Sequence, residues 1–151
     1  MTARQLLADR YLAILTSRLG CTAHVDDYLD VVFELNGRTY VVRNTAPDDP
    51  EFLCLTFGVG VADAPAALVD RLAHEATHRT KAVKVSRQGT ALFAAVEMFV
   101  GLPNQLPDPG VVAAVLPRAC SAIEAAVSRV AEGVVLGRLA EDAMTETEVG
   151  A

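Results

Sequence analysis

The stretch DVVFELNGRTYVV (residues 30–42) constrains the fold of this chain more than any other. Leu29, Val31, Phe33 and Leu35 alternate with Asp30, Val32 and Glu34, the period of two that gives a strand one buried face. Asn36-Gly37 follows, the dipeptide best suited to the two left-handed positions of a type I′ hairpin turn. Residues 38–43 (RTYVVR) then return as the antiparallel partner. A sheet started in this way must have its apolar face covered, so the remaining segments are read for what covers it.

Ahead of the hairpin, Leu7, Tyr11, Ile14 and Leu15 recur at helical spacing, and Gly20 sits where a helix stops. The residues before Tyr28 read as an early extension of the first strand. Residues 44–50 (NTAPDDP) are dense in turn formers. Residues 52–59 (FLCLTFGV) are apolar on both faces, which predicts a central strand covered on both sides. Asp63-Ala64-Pro65 reads as an N-cap followed by an early helical proline, opening a second helix. Residues 81–87 (KAVKVSR) and 91–100 (ALFAAVEMFV) predict a second hairpin around Gln88-Gly89.

After the loop GLPNQLPDPG, residues Leu116, Cys120, Ile123, Val127, Val130 and Val134 step by four and three along a final helix. Pro117 either starts this helix in its first turn, with residues 111–116 forming a separate short turn, or kinks one continuous helix, and the former is the expected arrangement. The acidic, weakly apolar residues 137–151 are expected to form a frayed tail. The predicted order is α-β-β-β-α-β-β-α. It is an α+β fold with helices packed on an antiparallel sheet, one domain over residues 1–136.

Composition narrows the function classes. A chain of 151 residues can bury a core as one domain without disulfides. Cys21, Cys54 and Cys120 are odd in number, widely spaced and form no C-x-x-C pair, so they read as small apolar residues of a reduced interior. A net charge of −6 and a pI near 5.0 argue against nucleic-acid or anionic-membrane partners. No uninterrupted apolar run approaches the roughly 20 residues of a membrane span. Arg4, Asp9, Arg10 and Arg18 break the N-terminal segment, so it lacks the apolar core of a signal peptide, and a cytoplasmic location is expected.

One stretch announces a chemistry. Residues 74–78 spell HEATH, a match to H-E-x-x-H, in which two imidazoles hold zinc and the glutamate activates water. On a helical wheel Val69, Leu72 and Ala76 cluster with Leu68, whereas His74 and His78 fall nearly opposite, away from the sheet. A zinc enzyme also needs a third ligand and an open position for water. His24 is far upstream on a strand, and Glu97, at a suggestive distance in sequence, lies on a strand rather than a second helix. A small zinc hydrolase using His74, His78 and Glu75 therefore stands as the alternative reading. Exposed histidines, capable at most of adventitious metal binding, are the expected one.

Other patterns carry less. No nucleophile elbow, phosphate-binding glycine loop or dinucleotide fingerprint occurs. Gly58 and Gly60 read as a strand end close to the following helix rather than an anion site. Asp26, Asp27 and Asp30, with Asp48, Asp49 and Glu51, offer oxygens for a hard cation but read more simply as solvated loop edges. The apolar content of the central strand, residues 91–100 and the last helix exceeds what one sheet face and three helices require. The surplus points to a subunit interface or protein-binding groove, with Leu53, Leu55, Phe57, Phe93, Met98, His74 and His78 as its candidate residues.

The hairpin DVVFELNGRTYVV, the stretch DDPEFLCL and the passage AHEATHRTKAVKV together resemble the YbjN-like family, whose fold is that of type III secretion chaperones. The resemblance runs from the first helix to about Val134. In the last passage this chain has His74 and Thr77 where the family pattern carries asparagines, ahead of a strand bearing Lys81 or Lys84. The resemblance implies a non-enzymatic, protein-binding role without cofactor, frequently as a homodimer, and assigns no catalytic residue.

Overall fold

A computed structural model describes residues 1–150. The chain forms α1 (Ala3–Ala13), a π-helical turn (Ile14–Arg18), β1 (Ala23–Val25), β2 (Val31–Leu35), β3 (Arg38–Val42), β4 (Phe52–Gly60), α2 (Ala66–Arg79), β5 (Val83–Gln88), β6 (Ala91–Phe99) and α3 (Pro109–Val149). The fold is α+β, as the periodicities predict. Its six strands make one antiparallel sheet in the order β1-β2-β3-β4-β6-β5.

Asn36 and Gly37 take φ of 53° and 74°, the pair of left-handed positions that a type I′ turn demands. The first strand is shorter than expected. Leu29 has φ of 63° and Asp26 accepts from the Tyr28 and Asp30 amides, so a turn separates β1 from β2. The residues before Tyr28 accordingly form a strand of their own rather than an extension.

Register sorts the side chains into two faces. Val25, Val31, Val42, Leu55, Val96 and Val83 lie side by side across all six strands, and their face is buried beneath the helices. Leu7 and Tyr11 of α1, Val69 and Leu72 of α2, and Val112, Leu116, Ile123 and Val130 of α3 join them in one core. Thr2 and Gln5 form a reciprocal capping box at the start of α1.

Three expectations are corrected. Asp63 does not cap α2: Pro65 occupies that position, with no side-chain cap bond. The helix of residues 109–149 starts at Asp108, whose carboxylate accepts from the Val111 amide, and continues without a break through Pro117. Burial explains why: Val112 and Leu116 before the proline and Ala119, Cys120 and Ile123 after it all enter the same core. The cost is one missing backbone donor inside the helix. The expected frayed tail is part of this helix through Val149. Helix α3 is also long and apolar enough to cross a membrane, its most apolar window having a mean hydropathy of 1.5. Even so, it supplies a large share of the core.

Candidate functional site

The HEATH helix shows what each of its residues does. Ala76 is buried against the core. His74 and His78 are exposed, their ring centroids 4.5 Å apart. Glu75 lies 3.7 Å from Arg71, one turn earlier on the same helix. Thr77 faces β5, the edge strand. Its hydroxyl accepts from the Val85 amide at 2.9 Å and lies 3.2 Å from the Val85 carbonyl and 3.0 Å from that of Ala73. The hydroxyl oxygen takes the outward-facing Val85 amide while its one proton is shared between the two carbonyls, which blunts an edge that would otherwise recruit another strand.

Among the described residues no third zinc ligand approaches the pair. Glu97 belongs to the sheet face opposite the helices, where it pairs with Lys84. His24 stands on β1, at the other end of the sheet from β5 and α2. Among the described residues no three metal-ligating side chains converge.

The first acidic cluster is committed to the fold. Asp30 is buried, accepting from the Asn44 amide at 2.7 Å and from Arg43 at 3.0 Å. Asn44 in turn donates to the Arg4 and Leu29 carbonyls, and Arg4 reaches the Tyr28 carbonyl. This network ties α1 to the β1–β2 turn and the β3–β4 loop. Asp48 and Asp49 are exposed, and Glu51 is buried with one oxygen unpartnered.

The residues singled out as a binding surface separate into different places. Leu53 and Leu55 are fully buried, so they belong to the core and not to a surface. Phe57 is half-buried on the same face, 5.5 Å from Tyr40, with the Arg38 guanidinium 5.6 Å above its ring. Met98 also packs against the core. Phe93 alone lies on the opposite face, over Gly58. A Cβ at Gly58 would stand 3.0 Å from the Phe93 ring, so glycine permits that contact. His74 and His78 lie on the outer side of α2.

That opposite face is the feature the sequence pattern missed. The strand expected over residues 52–59 was to be covered on both sides, yet helices cover only one. His24, Val32, Val41, Thr56, Ala95 and Lys84 form a second row across all six strands, on the face away from the helices. The four middle residues are uncharged and half-buried, and the two ends are exposed and basic. Phe93 flanks the row, and Phe52 packs on the exposed Phe99 with ring centroids 5.2 Å apart at one end of the β4–β6 pair. Mixed patterns such as VVFEL and LFAAVEM foretell a strand with a weakly polar second face but not whether anything covers it.

The thiols offer little reactivity. Burial pushes Cys120 up to about 12, and burial likewise raises Cys21 and Cys54. A raised thiol is a poor nucleophile at neutral pH. A groove of about 380 Å³ lies between the β4–α2 loop and α3, with Arg38 and Arg138 at its rim. Both arginines are committed, to Glu124 and to the Asp63 carbonyl. No protein-family model matches the chain and no curated protein matches it, so the resemblance to the YbjN-like family rests on the sequence stretches that suggested it.

Proposed function

We propose that this chain is a non-enzymatic protein-binding module, chaperone- or adaptor-like, which acts in the cytoplasm as a homodimer and holds an apolar segment of another protein against its open sheet face. The observation that carries this reading is the transverse row from His24 to Lys84, uncharged in the middle and unshielded by any helix. An uncovered sheet face of this kind suits an apolar segment laid across it, with Phe93 and the Phe52–Phe99 pair as flanking contacts. The chaperone-like resemblance agrees with this use of the fold.

The test is suppression of aggregation of a heat-denatured reporter protein at equimolar ratio, followed by light scattering. Val41→Glu with Ala95→Glu places two carboxylates in the middle of the row. The double variant is expected to lose about fivefold or more of the protective effect while keeping its melting temperature. Protein that never protects the reporter, or a variant that protects equally well, would sink the reading.

The zinc-hydrolase alternative draws support only from the proximity of His74 to His78. It would replace the binding reading if protein purified without a nickel column carried stoichiometric zinc and a peptidase activity that Glu75→Gln removes.

A further inference from the structure

Helix α3 outruns the domain. Its last hydrogen bond to the body joins Arg138 to the Asp63 carbonyl at 2.8 Å, and every residue from 138 to 150 is exposed. An isolated helical segment of about 12 residues is marginal in water, so a helix here calls for something to pack on. Its pattern says on which side. Leu136, Leu139, Ala140, Ala143 and Met144 fall on one stripe, with Glu141, Asp142, Thr145 and Glu148 opposite. Leu136, Leu139 and Met144 are 67%, 59% and 66% exposed.

Charge selects the occupant. Residues 139–150 carry Glu141, Asp142, Glu146 and Glu148 and no basic residue. Such a segment is repelled by an anionic lipid surface and, in parallel alignment, by its own copy. The stripe leads back, however, into a groove between α2 and α3 bearing Arg71, Arg79 and Arg129 against Glu75 and Glu132, with Leu136 in its lining. An antiparallel copy resolves the repulsion and uses that groove. With a two-fold axis near residues 139 and 140, Leu136 meets the partner's Ala143 and Leu139 meets the partner's Ala140. The partner's Glu146, at the margin of the stripe, then lies beside Gly133, in the groove that carries the arginines.

We infer that the exposed stripe of α3 is an isologous dimer contact, in which two copies pair their α3 arms antiparallel and each acidic end docks in the arginine-bearing α2–α3 groove of the other. This inference rests on the homodimer part of the proposed function and says where that dimer forms. The stripe from Leu136 to Met144 is about 12 Å long, and the whole paired stretch of residues 131–148 about 26 Å, on a helix about 10 Å wide. That is less than the roughly 800 Å² per partner of a standard interface. The dimer is accordingly reversible and dissociates on dilution.

Sedimentation velocity of the full chain from about 200 to about 1 µM should show a dimer giving way to a monomer. Leu139→Glu, at an exposed position, should weaken the dimer by at least about tenfold and leave the melting temperature of the dilute protein unchanged. In a Cys21→Ser, Cys54→Ser background, a short bis-maleimide should link copies through Ala140→Cys and not through Gly150→Cys. A chain that stays monomeric throughout overturns both this inference and the dimer part of the functional reading. A dimer untouched by Leu139→Glu overturns only the placement on α3. Linking through Gly150→Cys in preference to Ala140→Cys overturns the antiparallel arrangement.

Discussion

Thr77 is the residue of HEATH on which the fold depends. Its hydroxyl serves the Val85 amide and carbonyl at the free edge of the sheet. Removing the hydroxyl while keeping the shape leaves the Val85 amide without its partner. Thr77→Val is therefore expected to cost about 1–2 kcal/mol, read as a lower urea midpoint, and to raise aggregation through the uncovered edge. His74→Ala and His78→Ala should each stay within about 0.5 kcal/mol, because both side chains are exposed. A Thr77→Val midpoint equal to the native one would show that water replaces the hydroxyl at no cost. The helical wheel was enough to turn the histidines outward, since burial phase is a local property. The partner of Thr77 was not legible, because the pairing of a helix with an edge strand is fixed by tertiary geometry.

The pairing of α2 with α3 turns on two glycines, spaced four apart. A Cβ on Gly133 would run into Leu72 Cδ2 and stand 3.2 Å from its Cγ, and Leu72 is buried. A Cβ on Gly137 would meet Leu68 Cδ2 at 2.9 Å, with the rest of that half-buried side chain farther off. Alanine in place of glycine gains about 1 kcal/mol of helix propensity at either site, so the balance lies in the clash. Gly133→Ala is expected to destabilise the protein, by about 1 kcal/mol net, whereas Gly137→Ala should be neutral or stabilising. Combining Gly133→Ala with Leu72→Ala should cost less than the sum of the two changes, and strict additivity in that cycle would rule out the contact. The sequence pattern showed α3 as a helix yet misplaced both of its ends. Pro117 was read as a boundary because the local rule favours one, and the core contacts on either side of it outweigh that rule. Residues 137–151 were read as frayed because their polarity hides a one-sided stripe of Leu139, Ala140, Ala143 and Met144.

The architecture places its titratable core groups beneath a single layer of helices. Hairpin, sheet and helix order were legible because strand alternation and Asn36-Gly37 are local signals. The uncovered face was not, because nothing local separates a half-polar strand that is covered from one that is open. Burying Tyr11, Tyr40 and Cys120 in this one core has a consequence for the whole molecule. Burial raises Tyr11 strongly, and it raises Tyr40 from 10.0 to about 12 and Cys120 from 9.0 to about 12. Once the chain unfolds these groups return to their ordinary values, so above about pH 9 the unfolded chain holds fewer protons than the folded one. Stability then falls as pH rises, by up to about 1.4 kcal/mol per pH unit for each such group. The contribution is complete below pH 9 and is lost progressively as pH climbs through about 12. Urea unfolding between pH 8 and pH 11 should show a plateau followed by a decline. Cys120→Ala should shift the plateau and flatten the decline by the share of one proton. Stability that stays level from pH 9 to pH 11 would mean that the core takes in hydroxide without unfolding, contrary to the burial of these three groups.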